Sequence, residues 1–298
     1  MQDLMVEHLE SILLFAFLSV ASFWIARTMG YFYWPKETVK PHDALPKVTF
    51  FQVIAVFVIY LGSLLFIGHI FVYIFDFLAM LFVSNEFLYS PSYPPLLSSF
   101  VQVATTLVAA YLLYLFCKRQ TDRASILAIW KRPHSHCSIA KDIGYGIITW
   151  AVSFPFVLFA SELFDFLIYL FSGPQDYEQV AVQYLKMSIG SNILFIIAIF
   201  TILVAAPVLE ELLFRGFLLN FLRRYFGRVA AIILSSLAFA LFHFSFSQSL
   251  GNFPLVGSLF TLALFLGYIY ERQGSLFASI ALHMTFNIIS TLRILTGA

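Results

Sequence analysis

The chain has 298 residues, of which 61% are hydrophobic, 18% aromatic and 11% charged. Soluble domains carry about 25% charged residues, so the composition excludes an ordinary soluble domain and predicts an all-α, polytopic transmembrane bundle. A net charge of +1, with cationic residues only in short clusters between apolar runs, gives no basic stripe for nucleic acid.

A membrane span needs ~20 apolar residues, and about eight runs meet that criterion. The first, Leu9 to Ala26, follows Asp3, Glu7 and Glu10 with no Lys or Arg before it. It lacks the positive n-region of a signal peptide and reads as a retained helix. The second stays apolar from Val48 to Val83, ~54 Å as a helix against a ~30 Å hydrocarbon core. Its second half is expected to protrude, bend or lie in the interface, with Gly62 and Gly68 as candidate break points. A loop from Ser84 to Ser98, holding Pro91, Pro94 and Pro95, precedes the third span, Phe100 to Leu115. Cys117 and Cys137 flank a basic cluster and are expected to be reduced thiols.

The fourth run starts near Ile143 and overruns through Glu162 and Asp165 to Phe171; a polar loop from Gly173 to Gly190 follows. The fifth, Ile193 to about Leu222, contains Pro207-Val-Leu-Glu-Glu-Leu-Leu-Phe-Arg-Gly-Phe217 and ends at Arg223, Arg224 and Arg228. Val229–Phe244, Leu255–Tyr270 and Leu276–Leu295 complete the set, without internal repeats. The expected organisation is one bundle, with residues 1–190 as an N-terminal four-span region and 191–298 as the core of spans five to eight.

Lys and Arg accumulate in alternate loops: Lys36, Lys40 and Lys47, then Lys118 to Lys141, then Arg223, Arg224 and Arg228, then Arg272. The intervening loops hold Lys186 alone. By the positive-inside rule the basic loops are cytoplasmic and both termini lie on the opposite side. On that orientation Glu210 lies ~20 Å from Arg223, His243 ~22 Å from Arg228, and His283 and Asn287 ~12 and ~18 Å from Ser275. Three helices thus carry an acid, two imidazoles and an amide to similar depths. Glu162, Asp165, His69 and Asp76 fall ~28 Å or more from the same side and are expected at the outer interface.

An ionisable side chain at bilayer depth costs at least ~2.5–3.5 kcal/mol, and such residues usually mark a functional site. Glu211 and Arg215 are four residues apart and can neutralise each other. Glu210 is rotated away from that pair, and Pro207 removes an intrahelical hydrogen bond and predicts a kink. Phe239 and His243 share one helix face, as do His283 and Asn287. A carboxylate to take a proton from water, an imidazole to orient it and donors for an oxyanion are what amide hydrolysis needs. A polar network tying three helices together, without chemistry, is the bland alternative.

Glu210-Glu211-x-x-x-Arg215, Phe239-x-x-x-His243 and His283-x-x-x-Asn287, in that order, resemble the motifs of the CPBP family of intramembrane proteases. That family includes CAAX-box endopeptidases of the Rce1 type and bacterial Abi or lysostaphin-resistance-like proteins. The resemblance spans Ile193 to Leu295 and implies a protease that opens toward the cytoplasm and acts on a lipidated CAAX-type segment or, if the source is bacterial and the protein sits in the cell inner membrane, on another membrane-associated peptide. It also implies Glu210 as general base and His243 as a holder of the water. His283 and Asn287 would polarise the carbonyl, and Glu211, Arg215 and Phe239 would be supporting residues.

The family has been described both as metal-independent and as metalloproteases. Glu210, His243 and His283 could supply three zinc ligands, but there is no His-Glu-x-x-His helix, and a separate base would then be needed. A metal-free reaction is the expectation, with zinc as the alternative. Two other classes stay open at this stage: a proton- or ion-coupled transporter, which would need a path to both faces, and a non-catalytic membrane scaffold.

Overall fold

A computed structural model describes residues 2–33, 45–133, 135, 137–174 and 180–296; Lys36 and Lys40 of the first basic loop lie outside these. The described residues form an all-α bundle. Its helices are α1 (Gln2–Thr28), α2 (Phe50–Phe82), α3 (Tyr93–Gln120), α4 (Arg123–Trp130) and α5 (Ile139–Ser172). They continue with α6 (Val180–Ser188), α7 (192–226), α8 (228–242), α9 (Asn252–Gln273) and α10 (Leu276–Thr296). The interval expected as a polar loop before α7 therefore contains a helix.

Seven continuous helices among the described residues are long and apolar enough to cross a membrane. One of them, Asn192–Phe242, has 51 residues and would reach ~77 Å if straight. It is not straight: Gly227 has φ 77° and ψ 179°, a conformation that costs a residue without Cβ little. The chain reverses there, so Phe239 and Phe242 on α8 pack edge-on against Phe214 on α7 at 5.1 and 5.4 Å. The expected fifth and sixth runs are thus the two arms of one interrupted helix.

Two sequence expectations change. Gly62 and Gly68 do not break the second run; they bracket a π-helical turn, Ser63–Ile67, inside α2. Gly68 lies against α3, where an added Cβ would make an ordinary 3.6 Å contact with Thr105 Oγ1. Pro94 and Pro95 belong to α3 rather than to the preceding loop, because the first turn of a helix has no use for their missing N–H groups. Cys117 and Cys137 are both free. At the far end of α2, Asp76 accepts a 2.7 Å hydrogen bond from Tyr93, and Glu162 on α5 faces His8 of α1 at 3.6 Å.

α5 packs against α1, α9 and α10. Its contact with α10 depends on Gly146, where a Cβ would lie 2.3 Å from the Ala278 carbonyl oxygen and 2.8 Å from Ala281 Cβ. Backbone cannot yield as a side chain can, so Gly146→Ala is expected to cost ~1–3 kcal/mol. Thermal unfolding in detergent, followed by tryptophan fluorescence, reads this; an unchanged midpoint would show that the two helices part freely.

One end of the bundle is closed by charge. Glu271 on α9 receives Arg132 and Arg223, with Arg228 at 3.4 Å. Lys131 pairs with the buried Asp142. These bonds join the α4–α5 connection to α7, α8 and α9, and they place the basic residues of two loops at a common end of the bundle.

Candidate functional site

α7 alternates between helical registers as it approaches the site. Thr201–Ala205 is π-helical, Ala206–Glu211 α-helical and Leu212–Leu219 π-helical. In the first π turn Ala206 N–H bonds to the Thr201 carbonyl, five residues back. The next amide in that register would serve Ile202, but it belongs to Pro207, which has no N–H. Asn287 Nδ2 of α10 donates to the Ile202 carbonyl instead, at 2.9 Å. Pro207 therefore leads to a register change secured from a neighbouring helix. Such π insertions occur frequently at functional sites.

Glu210 follows, with 8% of its surface exposed. Its Oε2 lies 3.7 Å from His243 Nε2 and 3.8 Å from His283 Nε2. His243 sits immediately after the last residue of α8, and its Nδ1 donates to the Phe239 carbonyl at 2.9 Å. His283 Nδ1 donates to Glu211 Oε1 at 3.0 Å. Each ring therefore turns its Nε2 toward the same carboxylate oxygen.

Behind His283, Glu211 and Arg215 are fully buried and joined by a 3.0 Å hydrogen bond from Arg215 Nη1 to Glu211 Oε1. Arg215 Nη2 donates to the Ala263 carbonyl of α9 at 3.2 Å. Its guanidinium lies 4.5 Å from the Phe239 ring centroid. Phe239 in turn contacts both imidazoles, with centroid separations of 4.8 Å to His243 and 5.8 Å to His283. One phenyl ring thus separates the buried cation from the open side of the cluster while fixing both rings.

Glu210, His243 and His283 come together, with Glu211, Arg215 and Phe239 supporting them; Asn287 is directed to the α7 backbone. Zinc ligation by Glu210, His243 and His283 gains no support from the structure. Among the described residues, no group of three or more His, Cys, Asp or Glu side chains is arranged to hold a metal ion. A Glu210 ligand would also leave Glu211 as the carboxylate to act as base, and that side chain is held by Arg215 and His283. Motif spacing gave no hint of two further participants: the Ala263 carbonyl, which is backbone, and Tyr60 of α2, whose ring packs on Phe242 at 5.9 Å.

The fold and the cluster define a multi-pass integral membrane protein with an ionisable centre buried between helices. Residues 192–289 match the family model described as Type II CAAX prenyl endopeptidase Rce1-like, so the C-terminal third of this chain is an Rce1-like domain of the CPBP family. That domain begins with α7, ends within α10 and contains every motif residue of the site; the family implies an intramembrane protease. No curated protein and no solved structure matches the chain.

Proposed function

We propose that the protein is an intramembrane endopeptidase that cleaves a membrane-associated, prenylated CAAX-type peptide with a water molecule activated by Glu210. The observation that carries this reading is the approach of both Nε2 atoms to Glu210 Oε2 at 3.7 and 3.8 Å. These separations are too long for direct hydrogen bonds, and suit a water shared between the groups. Glu210 takes the water's proton as oxygen attacks the scissile carbonyl carbon, and later returns it to the departing amine. His243, at the open end of α8, holds the water. His283, whose doubly protonated form the negative Glu211 favours, donates from Nε2–H to the carbonyl oxygen and polarises it. Asn287 acts through the Ile202 carbonyl by holding α7 in the register that presents Glu210.

Residues 1–190 contribute packing around this core: α2 lies against α7 through Phe57 and Phe214, 5.1 Å apart and edge-on. The basic end of the bundle is the cytoplasmic one under the positive-inside rule, and His243, the more exposed of the two imidazoles, stands at the end of α8 away from Arg228.

The test is incubation of the purified protein with a farnesylated CAAX-type peptide and its unmodified counterpart, with and without 1,10-phenanthroline. The farnesylated peptide is expected to be cut at a rate that the chelator leaves unchanged. Failure of the wild type to cut either peptide would remove the proposal, and zinc restoring a chelator-abolished rate would replace its metal-free mechanism.

A further inference from the structure

We infer that Tyr60, outside the matched domain, is a further catalytic residue: its phenol donates a hydrogen bond to the scissile carbonyl oxygen as the tetrahedral intermediate forms. The inference rests on the protease reading above. Hydrolysis by activated water places negative charge on that oxygen, and donors fixed in a site of low polarity are among the largest contributors to its stabilisation. The neutral donor expected from the motifs, Asn287, gives one of its two N–H groups to Ile202, which turns it toward the α7 backbone. Both histidines turn their Nε2 atoms to Glu210. A donor from another helix would complete the arrangement.

Tyr60 meets the requirements for that donor. It is 9% exposed, and its ring rests on Phe242, which itself lies 6.0 Å from the His243 ring. Burial is the largest influence on its hydroxyl, and the charge of Glu210 is the next. One turn earlier, Phe57 is wedged between Phe214 at 5.1 Å and Phe242 at 6.3 Å, fixing this part of α2 against both arms of the α7–α8 hairpin. A buried tyrosine hydroxyl usually finds a partner, yet among the described residues Tyr60 Oη bonds to none. Nor is it sealed in the core. The fold holds the ring rigidly and leaves the O–H unused. The phenol keeps its proton throughout; it gives a hydrogen bond, and the proton exchanged with water and amine remains on Glu210.

Tyr60→Phe removes the donor and keeps the ring. The full-length variant, assayed in detergent with the farnesylated CAAX-type peptide, is expected to lose ~10²-fold in kcat, with KM and the thermal unfolding midpoint unchanged. Wild-type kcat, or a defect confined to KM, would overturn the inference. Glu210→Gln assayed in parallel separates the two claims. If it is inactive while Tyr60→Phe is fully active, only the role of Tyr60 falls; if it is active, the water-activation mechanism falls as well.

Discussion

Glu210→Gln should lower kcat by ~10²–10⁴-fold, the span that a positioned general base contributes, while leaving the protein folded. Glutamine has nearly the same shape and still offers an oxygen to the two imidazoles, but its amide cannot take a proton from water. Nothing in the packing opposes the exchange. Glu210 makes no close ion pair with Arg215, whose contacts are Glu211, the Ala263 carbonyl and the face of Phe239. Its own neighbours stand at 3.7 and 3.8 Å. Removing a charge held this loosely inside a bundle relieves desolvation rather than stranding a partner, so the unfolding midpoint should hold or rise. Normal cleavage by a folded Glu210→Gln protein is the result that the mechanism could not survive.

The site was legible in the sequence wherever a helix had already set the geometry. Glu211 and Arg215 share a face by i,i+4 spacing, and the depth estimates for Glu210, His243 and His283 agree with the contacts observed between them. The reversal at Gly227 follows from charge and length together, since two apolar runs meet at Arg223, Arg224 and Arg228. Other features depended on register or on distant chain and could not be read this way. Asn287 shares a face with His283, yet its partner is decided by a π turn on α7 that exposes one particular carbonyl. Arg223 and Arg228 look like ordinary loop charges that mark orientation. In space they converge on Glu271, together with Arg132, 139 positions away along the chain. Tyr60 is one of 15 tyrosines in a chain rich in aromatics, and only its placement against Phe242 separates it from the rest.

Arg215→Met is expected to give the largest loss of stability of any substitution at the site, ~3–5 kcal/mol, because it leaves the Glu211 carboxylate buried without its cation. Both side chains are completely inaccessible, so water cannot replace the lost partner. His283 remains bonded to Glu211 Oε1 at 3.0 Å, but that single hydrogen bond compensates a buried carboxylate only in part. Adding Glu211→Gln to Arg215→Met should recover much of the loss, since replacing both members of a buried pair is often close to neutral. A double-mutant cycle of thermal midpoints in detergent measures the coupling. Recovery of stability should not restore the rate. The substituted glutamine side chain can still accept the hydrogen bond from His283 Nδ1, keeping the ring in place, but it carries no charge to favour the doubly protonated imidazole, the form whose Nε2–H can donate to the carbonyl oxygen. The double variant should therefore bind peptide with an unaltered KM and turn it over more slowly than wild type. If Arg215→Met unfolds at the wild-type temperature, the pair is not what holds α7 in place; if the double variant recovers both stability and full kcat, Glu211 serves packing alone.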